Sequence, residues 1–410
     1  MWDSSTAPNG EEGDFYASED GSLVTSAWVE DNGNKYYCTK TGKIAENCVE
    51  KIGDAYYGFD DSGIMYSDTT FYISGYDQDN NYYNKYYRAK ANGILYVNEW
   101  YTYEDTNRKF YYGSEGVGAS GIVTVGGKTC YFDYDGEMLT SGTHPVDGKY
   151  YISKSDGSAV EAKNNDWTKV DGNYYYVKDN VILENRVEKI GNAYYGFDSS
   201  GIMYSDTTFS ISGYDEDDNY FNKCYRAKAS GALYVNEWYT DENSYSNDKY
   251  YYGNEGVAAS GIVTISGKTY YFYDNGFLKT YGINPVDGKY YISKSDGSVV
   301  EAKNNDWTKV DGKYYYVKDN VVLENCVEKI GNAYYGFNYS GIMYSDITFS
   351  IDGYDEDDNY FNKCYRAKAS GALYVNEWYT DENSYSNDKY YYGNEGVAAS
   401  GIVTISGKTY

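Results

Sequence analysis

The chain is a tandem array of its own copies, and that rules out a single closed core. The segment VEKIG(N/D)AYYGF begins at Val49, Val187 and Val327, so copies follow one another after 138 and then 140 residues. Trp28, Trp167 and Trp307 mark the same long period. Residues 227–270 and 367–410 are identical, which implies recent duplication. A chain that gains a copy of this size without losing its fold is built from units that touch mainly their neighbours, as in a solenoid. A barrel has a fixed strand number and shear and does not accept extra copies.

A shorter period lies inside the long one. In the second copy, aromatic pairs start at Tyr175, Tyr194, Tyr220, Tyr251, Tyr270 and Tyr290, and the next copy resumes at Tyr315. The short unit is about 20 residues, with two enlarged members, and six units make one super-repeat. The segment GKTYYFYDNGFLKT, residues 267–280, shows the grammar of one unit. An aromatic, β-prone run follows a turn, and Asp274-Asn275-Gly276 supplies the next turn before a return strand at Phe277-Leu278. Asn-Gly and Asp-Gly suit a type I′ hairpin turn, and the same pattern recurs at residues 294–297 and 198–201. One hairpin is marginal in water, so neighbours must stack. The expected fold is all-β, a solenoid of tandem hairpins. Its expected divisions are a partial unit at 1–27 and super-repeats at 28–166, 167–306 and 307–410, the last truncated.

With 59 Tyr and an aromatic share of 19%, rings must supply most of the buried surface. Tyr suits thin structures because its ring packs while its hydroxyl stays wet. The net charge of −27 repels nucleic acid and anionic lipid surfaces. No apolar run is long enough for a membrane helix. The opening MWDSSTAPNG lacks the basic and apolar regions of a signal peptide. Tyr410 falls in mid-strand by comparison with Tyr270, which Tyr271 and Phe272 follow, so the sequence is expected to be a fragment. Cys38, Cys48, Cys130, Cys224, Cys326 and Cys364 form no CxxC pair, and most do not recur between copies. They are expected to be free thiols packed as small hydrophobes.

The pattern G-x-x-Y-Y-x(4–5)-G with a Thr/Ser-containing return resembles the cell-wall and glucan-binding repeat superfamily. That superfamily includes choline-binding repeats, glucosyltransferase repeats and the repetitive oligopeptides of clostridial toxins. The stretch ISGKTYYFYDNGFLKTYGI, residues 265–283, carries the resemblance best. It implies a hairpin solenoid, an extracellular or cell-wall location, and non-covalent binding of wall polymers or glycans. Choline-binding repeats carry Trp-Tyr-Tyr in the first strand, where rings cage an ammonium group by cation–π attraction. Here the residue matched to that Trp is Ala55, Thr269, Tyr150, Tyr174 or Tyr314, so a full cage at every junction is not expected.

The residues expected to bind ligand are Trp28, Trp100, Trp167, Trp238, Trp307 and Trp378, with Tyr174 and Tyr314 completing some cages. Each Trp either offers an exposed platform or plugs the groove between hairpins, and the sequence leaves both open. The acidic loops at 77–81, 215–219 and 355–359 have the alternating carboxylates of a calcium loop. They lack its sixth-position glycine and twelfth-position glutamate, so a solvated turn is expected and no metal or cofactor. His144 is the only histidine, in a turn before Pro145, and its counterpart is Asn284. A thin array also offers no deep pocket to raise a carboxylic acid's pKa, so no catalytic residue is expected. Two functions remain: a binding module for wall polysaccharide, teichoic acid or host glycan, and a structural stalk or adhesin shaft that binds little.

Overall fold

The computed structural model describes residues 2–3, 13–245, 247–354 and 357–410. It thus leaves aside most of the opening MWDSSTAPNG segment, and Asp355 and Glu356 of the third acidic loop. The chain divides into two compact units, one of residues 1–188 with 196–204 and one of residues 189–195 with 205–410. Each is all-β. Among the described residues there is no helix, and so none long and apolar enough to cross a membrane. Among the described residues every sheet is two or three antiparallel strands that follow one another in sequence order, the tandem array that the repeats imply.

The hairpins close before the aromatic strand. Ala27–Asp31 pairs with Asn34–Cys38 across Asn32 and Gly33, whose φ values of 50° and 80° are both positive. That is a type I′ turn, whose twist matches the flanking strands. Ser266 and Gly267 do the same between Gly261–Ile265 and Lys268–Phe272.

The sequence reading placed the I′ turn at 274–276, and the structure corrects it. There the Gly276 N–H donates to the Tyr273 carbonyl at 2.8 Å, and the Tyr273 N–H to the Phe277 carbonyl at 2.9 Å. This is a wider loop ending on a left-handed Gly. Its first residue is often an Asx side chain that holds the loop. Asp198 Oδ1 accepts from the Ser200 and Ile202 N–H groups at 2.8 and 2.9 Å, and Asn338 holds Ser340 and Ile342 likewise. The return at Phe277-Leu278 is two isolated bridges, Phe277 to Tyr250 and Leu278 to Phe272, rather than a strand.

The Leu278 position ties one hairpin to the one before. The Met65, Met138, Leu278 and Met343 N–H groups donate to the carbonyls of Lys35, Lys109, Lys249 and Tyr314, at 2.7–2.8 Å. The last residue of the aromatic strand turns inward between neighbours. Phe59, Phe132, Phe197, Phe272 and Phe337 are fully buried there. Strand alternation then fixes the rest, because the residues two before each Phe share its face. The hydrophobic core is accordingly a series of small clusters, one per few hairpins.

Candidate functional site

Each of the six tryptophans sits second in the first strand of a hairpin. Its cross-strand partner is a Tyr: Tyr37, Tyr111, Tyr176, Tyr251, Tyr316 or Tyr391. The indole then leans on the next hairpin. Trp28 meets Tyr57 edge-on at 4.8 Å and Phe59 at 6.0 Å. Trp238 meets Tyr270 at 5.1 Å and Phe272 at 5.8 Å, and Trp307 meets Tyr335 at 4.9 Å and Phe337 at 6.0 Å. Trp378 has Tyr391 and Tyr410. Trp167 has Tyr176 of its own hairpin and Phe197.

These rings do not plug the array. Trp28, Trp100, Trp238 and Trp378 are 39–43% exposed, and Trp167 and Trp307 are half-buried. One face packs and the other is open. Trp28, Trp100, Trp238 and Trp307 each line an open hollow of about 400–440 Å³, within the range of small-molecule sites. The Trp28 hollow is walled by Lys35, Tyr57, Met65 and Asn92. The Trp307 hollow is walled by Tyr314, Tyr335, Met343, Ser345 and Ser370. One-sided aromatic platforms with amide and hydroxyl neighbours can stack an apolar ring face and hydrogen-bond its rim.

The second ring of the hollow was missed by the sequence alignment. Matching Ala55 with Thr269 sets the two strands one residue out of step, and a one-residue slip exchanges faces. The buried Phe59 and Phe272 are the true equivalents, which makes Tyr57 equivalent to Tyr270 and Ala55 equivalent to Lys268. The Trp100 hollow has Cys130 at that position instead of Tyr. Tyr174 and Tyr314 do stand beside Trp167 and Trp307, each at 6.4 Å and nearly perpendicular.

A lysine accompanies every one of these tryptophans. In four hairpins it occupies the place of Tyr174: Lys35, Lys109, Lys249 and Lys389 face Glu30, Thr102, Thr240 and Thr380, two residues beyond the Trp. In the other two the lysine is on the Trp strand. Lys169 Nζ lies 4.8 Å over the Tyr174 ring, and Lys309 Nζ 4.9 Å over Tyr314. Residues two apart on a strand share a face, so each site holds a fixed positive charge. The Trp238 hollow adds Asp296. Lys268 at 2.8 Å and the Ser298 hydroxyl hold its carboxyl far below the usual range, so it is an acceptor at any working pH.

The first two acidic loops are turns held by their own backbone. Asp77 Oδ1 accepts from the Asp79 and Asn81 N–H groups at 3.0 and 2.8 Å, and Asp215 repeats this with Asp217 and Asn219. Among the described residues no group of acids, histidines or cysteines could hold a metal ion. All six thiols are free, and burial pushes Cys48 and Cys326 up to about 11, a poor state for a nucleophile.

His144 lies in the strand Thr143–Val146, not in a turn. Pro145 is tolerated beside it because this strand is at a sheet edge. The imidazole is buried, stacks on Tyr131 at 3.9 Å, and its Nε2 is 2.9 Å from Ser153 Oγ. Asn284 makes the same contact to Ser293 at 3.2 Å, so the pair is a packing device shared by both copies. Burial holds the His144 pKa below its ordinary value, against a hydrogen bond to the Ser141 backbone. The unfolded chain therefore takes up its proton near pH 6.5, before the folded one. Stability is full above that pH and declines as the pH falls below it. Replacing His144 with Asn, the residue of the next copy, should flatten the dependence of the urea midpoint on pH between about 7 and 5. An unchanged slope would place the dependence elsewhere.

No protein-family model matches the chain. Glucosyltransferase-S of Streptococcus mutans is 31% identical over 231 residues, 56% of this chain and 15% of that protein. Glucosyltransferase-I of Streptococcus downei is 24% identical over 415 residues, 92% of this chain and 24% of that protein. The chain thus spans about a quarter or less of the length of these relatives. Choline binding protein F of Streptococcus pneumoniae is 19% identical, covering 77% of this chain and 98% of that one, with a TM-score of 0.31. For CbpJ of the same species the identity is 21%, the coverage 78% and 99%, and the TM-score 0.28. Such scores are too low to bear on architecture. On the sequence match to the glucosyltransferases and the hairpin grammar, the repeats of this chain match those of the cell-wall and glucan-binding repeat superfamily.

Proposed function

We propose that the chain is a non-catalytic, extracellular glycan-binding array, and that its ligand is a neutral glucan held in the tryptophan hollows. The observation that carries this reading is the lysine beside every Trp. An ammonium ligand seeks an unoccupied aromatic face and negative surroundings. Here the protein's own ammonium groups cover Tyr174 and Tyr314 and line the Trp28, Trp100 and Trp238 hollows. A sugar ring stacks on indole without needing charge, and lysine, Asn92 and Asp296 supply donors and acceptors for its hydroxyls. The relatives are named glucosyltransferases, which agrees with a glucosyl ligand. The buried His144–Ser153 pair and the raised thiols of Cys48 and Cys326 give no support to chemistry. The super-repeats at 28–166, 167–306 and 307–410 are proposed as the units of duplication, each adding sites for avidity. Wall-bound glycan, extracellular and polymeric, is the proposed setting.

Tryptophan fluorescence titrated with a soluble α-glucan and with choline, at low and high salt, tests this. Glucan should shift the emission with little dependence on salt, since no net charge pairs form. Choline should bind weakly and lose what affinity it has as salt rises. Saturable choline binding stronger than glucan binding overturns the proposal. Binding of neither ligand, nor of wall material, favours the stalk.

The hollows are not equal. At Trp100, Cys130 replaces the second ring. Cys130→Tyr should restore an edge-on pair like Trp238–Tyr270 and raise glucan affinity at that hollow about threefold to tenfold. The 19F resonance of 5-fluorotryptophan at position 100 would report it. No gain would mean that the second ring does not touch the ligand.

A further inference from the structure

The three longest hairpins lead to a different kind of surface. Their strands are Thr70–Tyr76 with Tyr82–Arg88, Thr208–Tyr214 with Tyr220–Arg226, and Thr348–Tyr354 with Tyr360–Arg366. The last pair before each tip is Tyr with Tyr: Tyr76–Tyr82, Tyr214–Tyr220 and Tyr354–Tyr360. Each pair meets edge-on, with centroids 5.5–5.7 Å apart. All six rings are 59–71% exposed, far more open than the hollow tryptophans. Large rings kept wet at the same place in three copies serve no core.

Charge decides what would cover them. Strand alternation puts Tyr76, Ser74 and Tyr72 on one face with Tyr82, Asn84 and Tyr86. Lys85 belongs to the opposite face, where its Nζ lies 5.2 Å over Tyr83. Lys223 and Lys363 do the same over Phe221 and Phe361. The one cation on the outer face is at the base, where Arg88, Arg226 and Arg366 are bound to Asp68, Asp206 and Asp346 at 2.7 Å. Beyond the tyrosines come only acids and amides: Asp77, Gln78 and Asp79 in the first copy, and Asp215, Glu216, Asp217 and Asp218 in the second. Elsewhere in the chain, Tyr rings are repeatedly covered by the protein's own Lys and Arg, at 4.6–5.7 Å in several hairpins. Among the described residues the tip rings have no such cover.

We propose that these hairpin tips form a second binding surface, distinct from the tryptophan hollows, that docks a basic polypeptide segment. A lysine or arginine side chain of the partner lies over the exposed Tyr of each pair, as the chain's own cations do elsewhere, and its charge faces the tip carboxylates. Arg binds better than Lys because its planar guanidinium stacks on the ring. The hollows differ, with a resident lysine beside each indole, so the two surfaces select different ligands.

The test uses the full chain, immobilised, at about 0.15 M salt, where diffuse attraction is screened beyond about 8 Å. The probes are soluble arginine–glycine and lysine–glycine repeat peptides, with a glutamate–glycine peptide as control. The arginine peptide should bind more tightly than the lysine peptide, and the control should not bind. Serine at Tyr76, Tyr82, Tyr214, Tyr220, Tyr354 and Tyr360 leaves the net charge unchanged, yet should weaken peptide binding about tenfold or more. The same variant should keep its circular dichroism and its glucan response at the tryptophans, which separates this surface from the hollows and from misfolding. If the serine variant binds the peptides as the parent does, only the general acidic field is at work and the proposal fails. It fails equally if amino-sugar oligomers bind at the tips and the peptides do not.

Discussion

Alanine at Trp28, Trp100, Trp238 and Trp307 together should lower glucan affinity more than tenfold, while the hairpins stay folded. Each indole gives the ligand a stacking face and an apolar area that alanine cannot supply, together worth about 1–3 kcal/mol per site. Folding survives because the side chains that hold neighbouring hairpins together lie underneath. Phe59, Phe132, Phe272 and Phe337 are fully buried, and the ties from Met65, Met138, Leu278 and Met343 are backbone bonds. Single replacements should remove one site each and leave the affinity of the others unchanged, because each hollow is walled by its own successive hairpins. Isothermal titration of the parent and the four single variants separates a loss of stoichiometry from a general loss of affinity. Full-strength binding by the fourfold variant would move the site off the tryptophans.

Alanine at Phe337 should act in the opposite way, on stability first. Its ring is fully buried at the end of Ala333–Phe337 and packs 6.0 Å from Trp307. Truncating a buried Phe costs about 3–5 kcal/mol in lost burial and residual cavity. In an array held by neighbour contacts, the loss falls on the junction with Ala333–Phe337 and on the hairpin before it. The urea midpoint for the unit of residues 189–195 and 205–410 should drop accordingly, and Trp307 should lose a ring it packs on. A change of less than about 1 kcal/mol would mean that the junction rings do not carry the stability.

The repeat was legible because duplication preserves it letter by letter, and a 20-residue aromatic unit bounded by Gly leaves few folds open. The tryptophan positions were legible for the same reason. Turn type was harder. Ser266-Gly267 and Asp274-Asn275-Gly276 both read as hairpin turns, yet only the first is a two-residue loop. The second widens because the Tyr273 carbonyl captures the Gly276 N–H three residues on, while in matching loops an Asx side chain such as Asp198 captures N–H groups two and four residues on. Tyr57 and Tyr270 were lost to a one-residue slip, since YY pairs align as easily in either frame while their faces exchange. The buried Phe at the strand's end was the anchor that would have set the frame. The lysine beside each Trp was also present in the sequence, as WVEDNGNKYY and WYTDENSYSNDKYY. The differing loop lengths hid it, and only the cross-strand register brings Lys35 and Lys249 to the same place.

In the proposed complex a neutral glucan sits against the open faces of these indoles. The most direct measurement is 19F NMR of the chain labelled with 5-fluorotryptophan, resonances assigned by single replacements, during titration with a soluble α-glucan. The resonances of Trp28, Trp238 and Trp307 should shift saturably and alike at low and high salt, with Trp100 following at higher glucan concentration because Cys130 leaves its hollow one ring short. Glucan binding detected by calorimetry with none of these four resonances moving would contradict the account.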